Sequence, residues 1–187
     1  MALTTFFRGI WILRQTETGK RKVSVSDSVV AASYNLKVEF SLRESRREDF
    51  ETLWAIDQQC FPPGISYSRL ELQAYMRRSR AFTLVAESAS PVILGFIVAE
   101  AGSRGVGHII TIDVLPQGRR HGIGSHMLST AETRLQAAHC HGVVLEVAVN
   151  NLNALAFYKR HHYDVLKTIP HYYSDGVDAL LLGKQLS

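Results

Sequence analysis

A short glycine-containing segment, residues 119–124, lies between a β-like apolar run at residues 108–114 and a helix-like run at residues 125–138. It reads Arg-Arg-His-Gly-Ile-Gly. A strand that turns through glycines into a helix aims several backbone N–H groups and the positive end of the helix dipole at one point. Such a turn can hold a pyrophosphate. The sequence therefore predicts a phosphorylated cofactor.

Two other phosphate-binding patterns do not fit this segment. A nucleoside-triphosphate loop needs Gly-x-x-x-x-Gly-Lys-Ser/Thr, and no lysine lies between Gly118 and Gly124. A dinucleotide fold needs Gly-x-Gly-x-x-Gly early in a βαβ unit, with an acidic residue about 20 residues later. Arg119-x-x-Gly122-x-Gly124 instead resembles the (Gln/Arg)-x-x-Gly-x-(Gly/Ala) signature of the GNAT superfamily of acetyl-CoA-dependent N-acetyltransferases. The alternative for so short a pattern is an ordinary tight turn.

Four further segments follow the order of that superfamily. The apolar run at residues 143–149 contains Glu146, and residues 150–158 begin a helix that an asparagine caps. These two segments, together with residues 171–179, resemble the RimI-type ribosomal-protein alanine acetyltransferases and the eukaryotic protein N-terminal acetyltransferases. Phe61-Pro62-Pro63 is similar to the Phe-Pro loop of the same enzymes. The resemblance covers residues 38–187.

Glu146 and Tyr158 have the chemistry that acyl transfer to an amine requires, which is one proton acceptor and one proton donor. Glu146 stands in an otherwise apolar strand, where partial removal from water makes a carboxylate a stronger base. The alternative is a glutamate that faces solvent or pairs with an arginine. Tyr158 can protonate a leaving thiolate while staying neutral at pH 7. Its alternative is an ordinary aromatic core residue on an apolar helix face.

The resemblance implies that Glu146 is the general base and Tyr158 the general acid. His108 stands where some eukaryotic N-terminal acetyltransferases have a tyrosine that helps to deprotonate the amine, and a histidine can do the same work. A solvated histidine at a strand edge is the alternative. The chain departs from the family after Tyr158, where His162-Tyr163 replaces the usual Gly-Phe. Histidine adopts the left-handed conformation of a helix cap less readily than glycine.

The resemblance also implies the cofactor, which is acetyl-CoA, and its binding groups. The pyrophosphate is expected on the backbone N–H groups of the loop and of the helix start, namely Arg119, Arg120, His121, Gly122, Ile123, Gly124 and Ser125. Backbone groups of Asp113 and Val114 are expected to pair with the pantetheine amides, and Asn151 is expected to contact the cofactor near the thioester.

An aromatic groove is the expected acceptor site. Phe61, Pro62 and Pro63 with Tyr172 and Tyr173 would form its walls, and the tyrosine hydroxyls would meet the backbone of a peptide N-terminus. Transfer to a protein or peptide N-terminal amine is therefore predicted. The alternatives are a small-molecule amine acceptor, for which a concentration of acidic residues is expected, and a non-catalytic acyl-CoA-binding module.

Composition limits the function classes. The chain has 187 residues, of which 46% are apolar, enough for one domain with a substantial core. No apolar stretch reaches the roughly 18 residues of a membrane span. The two cysteines, Cys60 and Cys140, are too few for a disulfide framework, and neither they nor the histidines have metal-ligand spacing. We expect a cytoplasmic protein without a metal site.

The positive charge is confined to the beginning of the chain. Residues 1–37 hold six of the 21 basic residues and two of the 17 acidic ones, so they carry the entire net charge of +4. We therefore expect no nucleic-acid partner. We also expect no membrane partner, because a spanning segment is missing, and a monomer or weak homodimer. Residues 1–36 are interpreted as an N-terminal extension, with a transit peptide as the alternative, and residues 37–187 as the acetyltransferase domain.

Hydrophobic periodicity predicts the element order β-α-α-β-β-β-α-β-α-β-β. The first helix, residues 47–59, places Phe50, Leu53 and Trp54 at helical spacing, with Asp57 on the same face. Pro62, Pro63 and Gly64 separate it from a second helix at residues 68–78. The predicted fold class is α/β (α+β), with helices packed on a sheet. The resemblance implies that this central sheet is mixed and mostly antiparallel. By resemblance, the central strands are splayed.

Overall fold

The computed structural model describes residues 38–62, 65–174 and 176–187, and its elements confirm the predicted order. Predicted and observed boundaries differ by up to three residues. The predicted N-terminal extension and Lys37 lie outside the described residues. The strands are β1 (Phe40–Glu44), β2 (Ala81–Ser88), β3 (Ile93–Ala101), β4 (Val106–Val114), β5 (Gly142–Ala148), β6 (Asp164–Ile169) and β7 (Ala179–Gln185), and the helices are α1 (Phe50–Cys60), α2 (Arg69–Met76), α3 (Ile123–Ala137) and α4 (Leu152–Arg160).

The strands form one seven-stranded sheet in the order β1-β2-β3-β4-β5-β7-β6. Every neighbouring pair is antiparallel except β4 and β5, which run parallel. These two strands pair only where Val106, Gly107 and His108 face residues 142–144, and then they diverge. The expected mixed sheet with splayed central strands is confirmed. The splay opens a gap in the middle of the sheet.

Apolar side chains form a separate core on each face of the sheet. On the face covered by α3 and α4, Ile112, Met127 and Leu145 are fully buried. On the other face, Leu53 of α1 and Phe96 of β3 belong to one cluster, and both are fully buried. The central strands supply both cores because successive residues of a strand point to opposite faces. No helix in the described ranges has both the length and the apolar character needed to cross a bilayer.

Local sequence explains where the helices begin. The Ser68 hydroxyl accepts a hydrogen bond from the Glu71 N–H, and the Glu71 carboxylate accepts one from the Ser68 N–H, which makes a capping box for α2. As predicted, an asparagine caps α4, since Asn151 Oδ1 accepts from the Ala154 N–H at 3.1 Å. Helix α3 begins after Gly122 without a side-chain cap.

Helix α4 ends in the segment where this chain departs from the family pattern. His162 adopts the left-handed conformation, with φ of 64°, at the position where the family has glycine. The Tyr163 N–H then donates to the Tyr158 carbonyl at 3.1 Å. The Tyr163 ring packs edge-on against Tyr158, with ring centroids 5.3 Å apart. The histidine therefore closes the helix, and its neighbour holds Tyr158 in place.

Candidate active site

The connection between β4 and α3 has the backbone of an anion-binding turn. Arg120 and Gly122 both have positive φ angles, 64° and 84°. Among the described residues, a Cβ atom added to Gly122 would meet no atom within 4 Å, so the space beside this glycine is open. Because Gly122 offers no capping side chain, the N–H groups of the first turn of α3 remain available to an anion. The turn therefore fits a pyrophosphate.

The side chains around this turn mostly fasten it in place. Arg119 Nε donates to the Val114 carbonyl at 2.8 Å, which ties the loop to the end of β4. Ser125 Oγ hydrogen-bonds to His161 Nε2 at 2.9 Å, which ties the start of α3 to the end of α4. Ile123 is 1% exposed and packs into the core, so it can offer a ligand only its backbone. All the predicted pyrophosphate residues except His121 line one small groove: Arg119, Arg120, Gly122, Ile123, Gly124 and Ser125.

His121 is the loop residue that does not line this groove. Its Nδ1 lies 3.5 Å from the Val38 N–H, and its side chain faces the beginning of the described chain. A direct side-chain contact between His121 and the pyrophosphate is therefore not supported by the geometry. Its backbone N–H stays a predicted contact.

Asp113 and Val114, the two predicted backbone contacts of the pantetheine, face opposite sides at the end of β4. The Asp113 carbonyl faces Gly95 on β3, and the Leu115 N–H donates to Leu94 on the same strand. Because backbone groups alternate along an antiparallel strand, Val114 faces away from β3, toward the splay. The Asp113 carbonyl is therefore turned away from the splay, which corrects that part of the expectation, whereas Val114 keeps its predicted role.

His108 and Glu146 meet beside the splay. His108 Nε2 lies 2.8 Å from Glu146 Oε2, and the Glu146 residue is only 7% exposed. The contact arises because β4 and β5 pair in parallel at His108 and Val144, so that the two side chains come from adjacent strands. The alternatives of a solvent-facing glutamate or an arginine partner do not hold. A carboxylate and an imidazole in hydrogen-bond contact can accept a proton together.

Tyr158 is fully buried, and its hydroxyl has no hydrogen-bond partner within the described structure. Burial raises the pKa of Tyr158 well above its usual value, and the charges of Asp113 and Tyr173 add to this effect. A phenol held neutral can donate a proton but does not accept one readily. The rings of Phe157 and Tyr163 flank Tyr158 at 5.1 and 5.3 Å between centroids. Tyr158 therefore stays protonated and is held in place by its neighbours, as its predicted role requires.

The predicted acceptor residues come together at the splayed end of β5. Phe61 and Tyr173 are buried in one cluster with Ala148, and Tyr172 packs against it. The two tyrosine rings lie edge to face, with centroids 5.1 Å apart. Pro62 is exposed, and Pro63 lies outside the described residues. Phe61 and Tyr173 are only 5% and 3% exposed, so they form a closed wall more than an open groove.

Tyr67 is a site residue that the sequence analysis missed. Its hydroxyl donates to the Ile110 carbonyl of β4 at 3.2 Å, inside the protein. Burial raises the pKa of Tyr67 well above its usual value, and the charges of Tyr75, Tyr172, Asp57 and Glu146 raise it further, which shows how close it lies to the acceptor wall. The available signal was Asp57, a carboxylate on an apolar helix face, which accepts from the Tyr67 N–H at 2.9 Å.

Comparison with known proteins identifies the fold that carries this site. Residues 42–163 match the family model of the acetyltransferase (GNAT) family. The chain belongs to the GNAT family. This GNAT chain is 40% identical over 94 residues to an uncharacterized N-acetyltransferase of Methanocaldococcus jannaschii, an alignment that covers 50% of the chain and 60% of that relative.

Two further similarities extend over most of the domain. The GNAT chain is 29% identical over 160 residues to an N-alpha-acetyltransferase of Sulfurisphaera tokodaii, with 79% of this chain and 94% of the relative aligned. The crystal structure of Ard1 from Thermoplasma volcanium superposes with a TM-score of 0.73 at 25% identity, covering 79% of this chain and 98% of Ard1. The expected superfamily and its enzyme class, acyltransferase, are confirmed.

Proposed function

We propose that this protein acetylates the N-terminal amine of a protein or peptide, with acetyl-CoA as the donor, by direct transfer. The observation that carries the proposal is the buried His108–Glu146 contact of 2.8 Å, at the point where β4 and β5 stop pairing. A proton acceptor at this point serves an amine that enters from the wall toward a thioester in the splay. The name of the Sulfurisphaera relative, N-alpha-acetyltransferase, supports this acceptor class.

Acetyl-CoA would supply an activated acetyl thioester. The open space in front of Gly122 and the uncapped start of α3 suit its pyrophosphate, with N–H groups from residues 119–125 as donors. The backbone of Val114 at the edge of the splay is the proposed pantetheine contact. Asn151, which is 2% exposed and caps α4, is proposed to lie near the thioester.

The protein's own residues divide the proton transfers. Glu146, oriented by His108, takes the proton of the acceptor amine and makes the amine nucleophilic. Tyr158 holds its proton firmly because it is buried, and it donates that proton to the departing sulfur. No enzyme nucleophile is required, because the amine attacks the thioester carbon directly. In this proposal the two proton-handling residues lie on different elements, Glu146 on β5 and Tyr158 on α4.

The finer assignments are part of the same proposal. Phe61, Pro62, Pro63, Tyr172 and Tyr173 are proposed to hold the first residues of the acceptor peptide. We assign the domain to residues 37–187 and the enzyme to the RimI-like acetyltransferases. The two free cysteines, Cys60 and Cys140, support a reducing, cytoplasmic setting.

A substrate panel tests the proposal. Purified protein and acetyl-CoA are mixed with peptides of varied first residue, with the same peptides already N-terminally acetylated, with an internal-lysine peptide and with free polyamines. Mass spectrometry should show one acetyl group on free N-termini only. Modification of the blocked peptides or of the polyamines alone would overturn the N-terminal assignment, and acetyl-CoA binding without any transfer would indicate a non-catalytic module.

A further inference from the structure

The proposed reaction does not use two fully buried carboxyl groups, one on the helix that leads to the acceptor wall and one on β4, the strand of the proposed pantetheine contact. Asp57 belongs to α1 and Asp113 to β4, and both residues are 0% exposed. In each, one oxygen is hydrogen-bonded and the other, Asp57 Oδ1 or Asp113 Oδ2, has no partner within the described structure. A buried carboxyl oxygen without a partner is costly, so these two oxygens call for an explanation.

The contacts of Cys60 place the segments that carry the two carboxyl groups against each other. Asp57 and Cys60 are three residues apart on one face of α1. Cys60 Sγ lies 3.6 Å from the carbonyl of Val114, the residue that follows Asp113. The charges of Asp113 and Asp57 both act on the Cys60 thiol, and the charge of Asp57 acts on Asp113. This face of α1 therefore lies against the end of β4.

We propose that Asp113 Oδ2 carries a proton and donates it in a hydrogen bond to ionised Asp57 Oδ1, so that the pair latches α1 to β4. The donors around each group decide which one is ionised. Asp57 Oδ2 accepts from the Tyr67 N–H and from Gln58 Nε2, both at 2.9 Å. Asp113 Oδ1 accepts only from Thr111 Oγ1, at 3.2 Å. Two such buried carboxylates cannot both be charged, and one shared proton satisfies both unpartnered oxygens.

The latch positions the acceptor side of the site relative to β4, the strand that carries the proposed pantetheine contact. The Asp57 carboxylate accepts a hydrogen bond from the Tyr67 N–H, and Phe61 of the aromatic wall follows Asp57 by one helical turn. Asp113 directly precedes Val114, the proposed pantetheine contact. Asp57 and Asp113 are therefore positioning residues that act through Tyr67, Phe61 and Val114. This kinetic consequence rests on the proposed function, whereas the shared proton does not.

The electrostatic surroundings agree with a shared proton. Burial raises the pKa of Asp57 to about 7, although its two hydrogen-bond donors oppose the rise. Burial and then the charge of Asp57 raise the pKa of Asp113 well above its usual range. The other titratable or charged groups that face the pair are Cys60, Tyr67, Glu71, Arg119 and Tyr158. Arg119 is the cation among them, and it favours the ionised form of Asp113.

The sign of the pH effect on stability follows from these directions. Both folded-state pKa values lie above the unfolded value of about 4. The stabilisation by the protonated pair is therefore fully present below about pH 4. It is lost as the pH rises through the folded-state pKa values, the first of which, that of Asp57, is about 7. The two groups titrate as a pair. We expect the free energy of unfolding of the whole protein to fall with rising pH over this window.

Carbon-13 NMR of the aspartate carboxyl groups tests the shared proton without any substrate. In the wild-type protein at neutral pH, one carboxyl resonance should have the shift of a protonated acid, and Asp113→Asn should remove it. Asp113→Asn should also flatten the fall of stability with pH, because the amide can donate to Asp57 without titrating. Asp164→Asn, at an exposed position on β6, should change neither result. Two ionised carboxyl groups at neutral pH would overturn the proposal.

Kinetics test the positioning role. In wild-type enzyme, the KM for the acceptor peptide should rise toward alkaline pH more steeply than in Asp113→Asn, with the KM for acetyl-CoA nearly unchanged. Asp113→Leu, which leaves Asp57 Oδ1 without a donor, should raise the acceptor KM roughly tenfold at every pH, as expected for loss of one hydrogen bond to a charged group. Equal pH profiles in wild type and Asp113→Asn would overturn the latch.

The NMR and stability measurements test the shared proton independently of the kinetic measurements, which test the positioning role. If no acceptor peptide is ever acetylated, the proposed function fails, and the NMR and stability measurements still decide whether the proton is shared. If Asp113→Leu does not fold, Asp113→Asn carries the kinetic comparison, since its amide retains both the shape and the hydrogen bond of the acid.

Discussion

The cofactor turn and the acceptor wall are built in opposite ways. The turn comes from one continuous stretch, residues 114–125, and its shape depends on local backbone angles such as the φ of 84° at Gly122. The acceptor side draws on α1, the segment before α2, β4, β5 and the segment before β7. Its central contact, His108 to Glu146, joins residues 38 positions apart in the chain. The cofactor turn is therefore built from neighbouring residues, whereas the acceptor side is built from residues far apart in the chain.

This difference shows how a short sequence pattern can reveal one half of a site and hide the other. A turn whose function lies in its backbone N–H groups tolerates many side chains but needs glycine where φ is positive. A wall of side chains from distant segments depends on strand register and helix packing. Substitutions should therefore separate the two halves, and the following ones are ordered from the largest expected effect to the smallest.

Glu146→Gln should have the largest effect, and it should leave the cofactor turn unaffected. Glutamine keeps the size of glutamate and can contact His108, but it cannot accept the amine proton. We expect kcat to fall by about 10² to 10⁴-fold, the range for loss of a general base, with the Kd of acetyl-CoA nearly unchanged. Steady-state kinetics and calorimetry check this. Full turnover in the variant would remove Glu146 from the mechanism.

Tyr158→Phe should lower activity and preserve stability. The buried hydroxyl has no hydrogen-bond partner among the described residues, so its removal takes away a proton donor but no contact. We expect kcat to fall by about 10²-fold. The free energy of unfolding, measured by urea titration, should be unchanged or higher by about 1 kcal/mol. A large loss of stability with normal kcat would identify Tyr158 as a packing residue only.

A pair of glycine variants tests the separation of the two halves directly. Gly122 and Gly176 have nearly the same φ, 84° and 82°, and a Cβ atom added to either glycine would meet no atom within 4 Å. Valine at either position therefore adds similar strain, about 1–2 kcal/mol. Gly122→Val should raise the Kd of acetyl-CoA roughly 10 to 100-fold, the range expected for one lost hydrogen bond to a charged group.

Gly176→Val is the matched control for that variant. Gly176 donates its N–H to Tyr173 of the acceptor wall, far along the chain from the turn. We expect the acceptor KM to rise and the Kd of acetyl-CoA to stay the same, as judged by calorimetry on both proteins. Equal losses of acetyl-CoA affinity in the two variants would show that strain, and not position, weakens binding.

His108→Asn should have the smallest effect of the series. The imidazole orients Glu146 through the 2.8 Å contact between Nε2 and Oε2. Its loss keeps the carboxylate base but removes the contact that fixes its orientation. We expect kcat to fall by roughly tenfold, which corresponds to about 1.4 kcal/mol of transition-state stabilisation. A fall as large as that of Glu146→Gln would show that His108 itself takes the proton.

Residue spacing predicted the element order, the fold class and the position of the turn. Periodicity reports which residues face a core, and glycine, proline and asparagine mark turns and caps, so these features are encoded locally. Glu146 stood out as a carboxylate in an apolar strand, and the family resemblance indicated its catalytic role. Tyr67 was missed because its contacts with Ile110 and Asp57 depend on how the segment after α1 folds back, which no periodic pattern records.

By itself, the sequence determined the turn at residues 119–124, the Asn151 cap and the pattern that the GNAT family shares, because each depends on neighbours in the chain. Only the tertiary structure decided that His108 meets Glu146, that the Asp113 carbonyl turns away from the splay and that Asp57 lies near Asp113. These contacts depend on strand register and on which helix face meets which strand. Such relations arise only when distant segments pack together.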